Sequence, residues 1–381
     1  MYHIYFAERD STIHEKYTKR NTGIDQILEL KKITSGSIIE GQYQANTYNS
    51  RILIDFGTQI TDISKSITSG KIGSTARRFH LNLRAMYATD LPISYSIFAY
   101  PVSESWDNGN GAYGDIPEGR DGTSWYYRDN YDVQTYWATG SAHSYEEGKG
   151  TYESFGGGTW ITGSEFESSQ SFENESADMR MNITDIVNNW ITGSDATKNT
   201  TNYGLIIKRS NSDEQSSEIL GNIKFFSRDT HTIFVPRLEV SWDDTDHSGT
   251  SSFTEVSADT YTPYFKNIRE SYREAEITKF RIGVRPEFPT RTYSTSSWYL
   301  TEERLPTSSY YSIVDTMTSE TMVPFDVSAS KINCDTNGNY FKVSLNSFMP
   351  DRYYKILLKI EKANGDDTQI HDNGYHFKVV K

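Results

Sequence analysis

The stretch whose reading decides the fold runs from Arg180 to Trp242. It reads RMNITDIVNNWITG over 180–193, NYGLIIKR over 202–209 and NIKFFSRDTHTIFVPRLEVSW over 222–242. In the first piece Ile183, Ile186, Val187 and Trp190 recur at helical spacing, with Asn182 or Thr184 placed to cap and Gly193 to stop the helix. Tyr203 to Lys208, Ile223 to Ser227 and Ile233 to Trp242 read as strands. The last brings Val235, Leu238 and Val240 to a core, and Pro236 sits near its start, where a missing N–H is tolerated.

Working back toward the N-terminus, residues 2–6, Ile24 to Ile33, Arg77 to Ala85 and Ile93 to Val102 have strand character, the last two joined by the turn Thr89-Asp90-Leu91-Pro92. Arg51 to Phe56 alternates cleanly, with Ile52, Ile54 and Phe56 on one side and Arg51, Leu53 and Asp55 on the other. Asp62 to Ser69 reads as a short helix. Between Ser105 and Gly163 the chain turns rich in Gly, Asp, Tyr and Trp, which predicts long loops at a sheet end or rim, where binding surfaces usually lie. Residues 244–257 are a polar stretch without periodicity and read as a linker. Beyond it, Glu276 to Val284, Tyr340 to Leu345, Tyr353 to Ile360 and Tyr375 to Val380 are strands, supported by the turn signals Asn337-Gly338 and Asn364-Gly365.

Four motifs in order resemble the secreted β-sandwich domain named for its Asp-Asn-Arg-Leu-Arg-Glu signature: Trp190-Ile191-Thr192-Gly193, Asn202-Tyr203-Gly204-Leu205, Phe226-Ser227-Arg228-Asp229 and Pro236-Arg237-Leu238-Glu239-Val240. The family's own signature is not obvious, although Asn49-Ser50-Arg51-Ile52-Leu53-Ile54 has the place of its arginine strand. Over residues 1–243 the resemblance implies a DNRLRE-like, jelly-roll-like β-sandwich with one short helix. The short strands of 258–381 predict a smaller immunoglobulin-like β-sandwich. The fold class expected is therefore all-β.

Composition agrees with that class. Of 381 residues, 14% are aromatic, including 27 Tyr, against 35% apolar in all, which suits half-buried strands and not a helical bundle or a disordered chain. A net charge of −13 argues against general nucleic-acid binding, because phosphate recognition needs a basic surface. The one cysteine, Cys334, permits no intrachain disulfide. MYHIYFAERD has neither the basic lead nor the apolar run of a signal peptide, and no apolar stretch reaches 18 residues. The expectation is a product made in a cytosol, at odds with the extracellular setting that the resemblance implies. For that reason the sequons at Asn182 and Asn199 carry no glycosylation reading.

No catalytic constellation stands out. There is no strand–GxSxG–helix passage, the 8 histidines are scattered, and Cys334 has no histidine near it in sequence. Glu146, Glu147, Glu153, Glu165 and Asp107 are candidate carboxylates for glycan hydrolysis, but no pair is singled out. Asp243-Asp244-Thr245-Asp246 and Asn364-Gly365-Asp366-Asp367 have the composition of a structural calcium loop without EF-hand spacing; no other cofactor or metal is expected. Trp106, Trp125, Tyr126, Tyr127, Trp137 and Trp160 can serve a protein interface or loop packing, or stack on pyranose rings as a glycan-binding site.

Longer stretches, among them FAERDSTIHEKY, NTGIDQILELKKI and IKFFSRDTHTIFVPRLEVSWDD, resemble structural proteins from contractile-tailed, T-even-type bacteriophages of marine cyanobacteria. What the resemblance implies is a non-enzymatic virion component of the neck, tail or baseplate, made in the host cytoplasm, present in several symmetric copies and bound to other virion proteins. The alternatives are a glycan-binding adhesin contacting the host surface and a polysaccharide-cleaving enzyme.

Overall fold

Alternating apolar residues and short Gly/Asn/Asp turns leave the chain little choice but strand, and the computed structural model is 44% strand and 10% helix, with most pairings antiparallel. It describes residues 1–39, 42–119, 121–131, 133–137, 156–192, 201–256, 260–288, 303–361 and 368–381. The chain divides into two units, one made of Tyr5–Ser69 and Arg78–Glu239, the other of Met1–Ile4, Gly70–Arg77 and Val240–Lys381.

The strands up to residue 241 are β1 (Tyr2–Phe6), β2 (Arg9–His14), β3 (Ile27–Ile39), β4 (Gln42–Asp55), β5 (Arg78–Leu83), β6 (Ala85–Thr89) and β7 (Ser94–Pro101). They continue with β8 (Tyr127–Asp129), β9 (Thr135–Tyr136), β10 (Ser168–Glu173), β11 (Met179–Asn182), β12 (Leu205–Lys208), β13 (Gly221–Phe226) and β14 (Arg237–Ser241). The helices are α1 (Thr58–Thr68), α2 (Thr184–Thr192) and α3 (Asn211–Gln215). An eight-stranded sheet runs β10-β7-β12-β4-β3-β13-β6, with β2 also on β4, and a four-stranded sheet runs β1-β14-β5-β11. β8 and β9 form a separate hairpin.

The decisive stretch folds nearly as read. Asn182 Oδ1 accepts the Thr184 N–H at 3.1 Å where α2 begins, and Ile183, Ile186 and Val187 are buried. Gly193 lies outside the described residues. The last strand starts at Arg237, not Ile233, because Pro236 has no N–H to pair; its carbonyl instead accepts from Ala7 at 2.9 Å. Leu238 and Val240 are buried, and Val235 only half so. Helix α1 begins a turn before Asp62. The Glu8 carboxylate, fifty residues upstream, accepts the N–H of Thr58 at 3.1 Å, so the capping group is one that no local pattern contains.

Several strands escaped the sequence reading, among them β2, β6, β10 and β11 and, in the other unit, Tyr261–Phe265 and Ser309–Asp315. β2 hydrogen-bonds along β4 from Arg9↔Asp55 to His14↔Ser50, and β6 pairs with β13 after the chain leaves the four-stranded sheet at Arg84. Part of the β3–β4 hairpin escaped as well, since its run from Thr34 to Asn49 carries little apolar alternation.

The other unit has a four-stranded sheet of Tyr261–Phe265, Ile277–Pro286, Gly338–Ser344 and Asn333–Asp335. A six-stranded sheet is built on Ser309–Asp315, Tyr353–Glu361 and His376–Val380. Aromatic rings fill this unit: Phe341 lies between Tyr311 at 4.0 Å and Phe280 at 5.2 Å, both stacked. Asn337-Gly338 falls in the hairpin turn where Asp335 pairs with Gly338, while Asn364-Gly365 lies outside the described residues. Residues 244–256 contain a 3-10 turn, Thr250–Ser252, and are tied down by bonds from Gly249 N–H to Cys334 O and from Cys334 N–H to Asp246 O.

The motif Phe226-Ser227-Arg228-Asp229 turns out to be a staple. Ser227 Oγ donates to Asp25 O at 2.5 Å, the Arg228 guanidinium donates to the Glu8 carbonyl, and the Arg228 N–H donates to the buried Asp10 carboxylate at 2.6 Å. Burial raises the Asp10 carboxyl to about 7, against the pull of the Arg228 N–H. A folded-state pKa above the unfolded value contributes stability at low pH that is lost as pH rises through about 7. Asp10→Asn should therefore gain on the parent protein in urea unfolding as pH is raised from 5 to 8; parallel curves would contradict the assignment. Glu8→Ala should cost about 1 kcal/mol through loss of the α1 cap, with circular dichroism showing reduced helix content.

Candidate functional site

The organising site grows out of β4. Its residues Ser50 to Asp55 lie between β2 on one side and β12 on the other, so the strand is central. Ile52 and Ile54 are buried on one face, as their alternation requires. The other face, Arg51, Leu53 and Asp55, is expected to be the wetter one, yet all three residues are at most 1% exposed. What covers that face is the aromatic region after Ser105. Trp106, Trp125, Trp137 and Trp160 pack with Ile13, Leu53, Tyr100, Val102 and Ile206 into one apolar cluster, with Phe98, Tyr126 and Tyr203 at its margin.

Covering a strand face that carries charges obliges those charges to pair within the protein. Arg51 meets Glu214 in a two-pronged contact, Nε to Oε1 at 3.1 Å and Nη2 to Oε2 at 2.7 Å, and donates from Nη1 to Gly157 O at 2.5 Å. Its guanidinium lies 4.9 Å from the Trp125 ring and 5.0 Å from the Trp160 ring. Lys208, wholly buried at the end of β12, bonds to Glu214 Oε2 at 2.9 Å, Asn211 Oδ1 at 2.7 Å and Arg209 O at 2.9 Å. Burial opposes ionisation of Glu214, but Arg51 and Lys208 outweigh it and hold the carboxyl below the usual range. Burial draws the Lys208 ammonium down to about 8, with Glu214 pulling it back up.

Glu214 is delivered by α3. Ser210 Oγ caps this helix by accepting the Asp213 N–H at 3.0 Å. At the other end the buried Lys32 ammonium donates to the carbonyls of Asp213, Glu214 and Ser216, filling acceptors that a helix C-terminus leaves open. Arg9 closes the opposite flank: it bonds to Asp55 at 2.8 Å and to Trp106 O at 2.6 Å, and its guanidinium lies 4.8 Å from the Trp106 ring. The Gly156-Gly157-Gly158 passage lets the loop reach this depth. Gly157 has φ +85°, and a Cβ there would stand 2.3 Å from Arg51 Nη1.

The six aromatic candidates are thus brought together, mostly inside. Trp106, Trp125, Trp137, Trp160 and Tyr127 are buried, and Tyr126 is half-buried. Trp106 and Trp137 spend their indole N–H groups on Tyr203 O and Ser124 O. Those ring faces pack on the protein's own residues, which leaves none of the four indoles as an outward stacking platform. Among the described residues of the region, the exposed apolar side chains, Ile116 included, are ones the sequence reading did not single out. Tyr131, Val133 and Tyr136 are 77%, 72% and 55% exposed on the β8–β9 hairpin, and the Tyr136 ring rests on buried Tyr127 at 4.7 Å. Their sequence signal is faint: a two-residue strand beside a turn, with no period to mark a face.

Arg51, Lys208 and Glu214 were also passed over as site residues. Two basic residues directly after the apolar run Leu205-Ile206-Ile207, with an acid shortly beyond, were the available signal.

Of the carboxylate candidates, two are among the described residues. Asp107 holds its own turn by accepting the Gly109 N–H, Glu165 gives its carbonyl to Asn189, and Glu146, Glu147 and Glu153 lie outside the described residues. In the proposed calcium loop, Asp243 bonds to Thr245, Asp244 to the Met1 ammonium and Asp246 to Tyr340. Among the described residues no group of three or more His, Cys, Asp or Glu side chains is arranged to hold a metal ion. Burial pushes the Cys334 thiol up, away from the reactive thiolate. No described helix is long and apolar enough to cross a membrane. No protein-family model matches the chain, and no curated protein or solved structure matches it either.

Removing one partner from a buried ion cluster strands the rest. Glu214→Leu is expected to cost about 3–5 kcal/mol, and a triple Arg51→Met, Lys208→Met, Glu214→Leu variant to recover much of that loss in denaturant unfolding. Gly157→Ala should cost about 1–3 kcal/mol by forcing a Cβ into a left-handed backbone and onto Arg51; an unchanged midpoint would contradict this packing.

Proposed function

We propose that this protein is a non-enzymatic structural component of a tailed-bacteriophage virion, at the neck, tail or baseplate, and that it acts through protein–protein interfaces. In this reading residues 1–243 are a jelly-roll-like β-sandwich of the DNRLRE type and residues 258–381 an immunoglobulin-like β-sandwich. It is assembled from the host cytoplasm as several symmetric copies.

The observation that carries the reading is the β8–β9 hairpin. Three neighbouring apolar side chains, Tyr131, Val133 and Tyr136, stand exposed on a base that is itself packed on buried Tyr127. Exposed tyrosines and aliphatic groups on a fixed base resemble the anchors of protein interfaces: they present apolar area at low entropic cost. The sequence resemblance to phage structural proteins points the same way, and so does an acidic, β-rich chain.

The test is incorporation. In particles purified from an infected host the chain should be present in a fixed ratio to other virion proteins, with cross-links mapping to residues 131–136. A Tyr131→Ser, Val133→Ser variant, which leaves the Tyr136 contact with Tyr127 intact, should fold with an unchanged melting temperature and be depleted from particles at least tenfold. Absence of the chain from purified particles, or full incorporation of the variant, would sink the proposal.

A further inference from the structure

The hairpin of β3 and β4 runs on past the strands that flank it. β13 pairs with β3 from Ile27 to Lys32, β2 with β4 from Ser50 to Asp55, and β12 with β4 from Ile52 to Ile54. The hairpin then continues in unbroken antiparallel register from Ile33↔Tyr48 to Ile39↔Gln42, and among the described residues no third strand pairs with it there. These pairs make an arm roughly 24 Å long, at about 3.4 Å per residue. A two-stranded ribbon alone is marginal in water, and its unpaired N–H and C=O groups are a template for another strand. Such edges are usually guarded by lysine, proline, a bulge or a covering group. The outer strand β6 is guarded in this way: a register shift interrupts its pairing with β13, and the Asp178 carboxylate accepts the Ala85 N–H at 2.8 Å. The arm is not. Ile33-Thr34-Ser35-Gly36-Ser37-Ile38-Ile39 and Gln42-Tyr43-Gln44-Ala45-Asn46-Thr47-Tyr48 carry no charge and no proline, and their register has no bulge.

Which strand fits this edge is legible in the edge itself. Gln26 and Lys32 turn their carbonyls toward β13, accepting from the Ser227 and Leu220 N–H groups. By the alternation of a strand, Thr34, Gly36 and Ile38 turn their backbone groups to the same side, beyond the end of β13. Residues 33–39 read almost the same from either end. A two-fold axis at Gly36 sets Gly36 opposite Gly36 of a second copy, Ser35 opposite Ser37, Thr34 opposite Ile38 and Ile33 opposite Ile39. Glycine meets glycine, serine meets serine, and β-branched residues meet β-branched ones, which are favourable cross-strand partners. Charge agrees with this pairing. At a net charge of −13 copies of the chain repel one another, and the arm is a stretch on which two copies can meet without bringing like charges together. We infer that the open edge of β3 at residues 33–39 pairs antiparallel with the same edge of a second copy, closing a four-stranded ribbon across a two-fold axis.

This goes beyond the structural role proposed above and does not rest on it. Edge pairing over so few residues buries less than a standard interface, so the dimer is expected to be reversible and to grow with concentration. Sedimentation equilibrium of the purified full-length protein reads it directly. Thr34→Lys with Ile38→Lys sets lysine opposite lysine and should weaken the dimer at least tenfold. Thr34→Lys with Ile38→Glu sets lysine opposite glutamate and should restore it, both variants keeping the parent melting temperature. Cys334 is buried and is the one natural thiol, so an introduced cysteine gives a second readout. Gly36→Cys should form a disulfide dimer on oxidation, and Thr68→Cys, at an exposed position of α1, should not. The inference is overturned by a monomer at every concentration, by the two charge combinations acting alike, or by Gly36→Cys cross-linking no faster than Thr68→Cys. A chain that is monomeric when pure, yet has residues 33–39 protected from hydrogen exchange in particles, would give the edge to a different protein and overturn the inference while leaving the structural role standing.

Discussion

A dry strand face with charges on it is the constraint from which the Tyr5–Glu239 architecture follows. Once the aromatic loops close over Arg51, Leu53 and Asp55, water can no longer solvate the guanidinium or the carboxylate, and each must find a partner inside. Glu214 answers Arg51, Arg9 answers Asp55, and Lys208 shares Glu214. Each of these pairs then places an element. Helix α3 is positioned by the need to deliver Glu214, the Gly156–Gly158 passage by the need to bring a carbonyl to Arg51, and Trp125 and Trp160 by their contact with the same guanidinium. Buried ion pairs of this kind add little net stability compared with apolar packing. What they do impose is geometry, because any arrangement that breaks one strands a charge.

A consequence is where the surface chemistry of this unit ends up. The central strands are covered on both faces near Arg51, so their side chains are consumed by packing. Exposed groups lie outward of this packing, among them Tyr131, Val133 and Tyr136 of the β8–β9 hairpin.

The other unit solves its packing differently. Its core is a run of aromatic rings, and each of its ion pairs keeps a part-exposed partner: Asp335 takes both Arg281 and Lys279, which hold its carboxyl well below the usual range, and buried Asp315 takes Arg352, which, with Met317 and Thr318 N–H groups, overcomes burial and lowers it to about 2. Such pairs, one partner part-exposed, reinforce turns and strand ends without enforcing the arrangement of a buried cluster.

How far the fold was legible depends on how local its causes are. Strands with a clear apolar period, such as Arg51 to Phe56 and Tyr353 to Ile360, and the capped helix after Asn182 could be read directly, because the period and the cap lie within a few residues. The start of α1 could not, since Glu8 caps it from another strand; nor could β6, which exists because the chain changes sheets at Arg84. The Trp residues between 106 and 160 were recognisable as important, but whether a tryptophan faces inward or outward is a matter of what folds over it. By itself the sequence determined a mostly-β fold, the strongly periodic strands and the aromatic loop region, as these follow from side-chain periodicity and turn chemistry. Only tertiary structure decided that the polar face of β4 is dry, that its arginine is met by Glu214, and that Tyr131, Val133 and Tyr136 are among the exposed apolar groups. Burial is a property of pairs of segments far apart in the chain, and no short stretch encodes it.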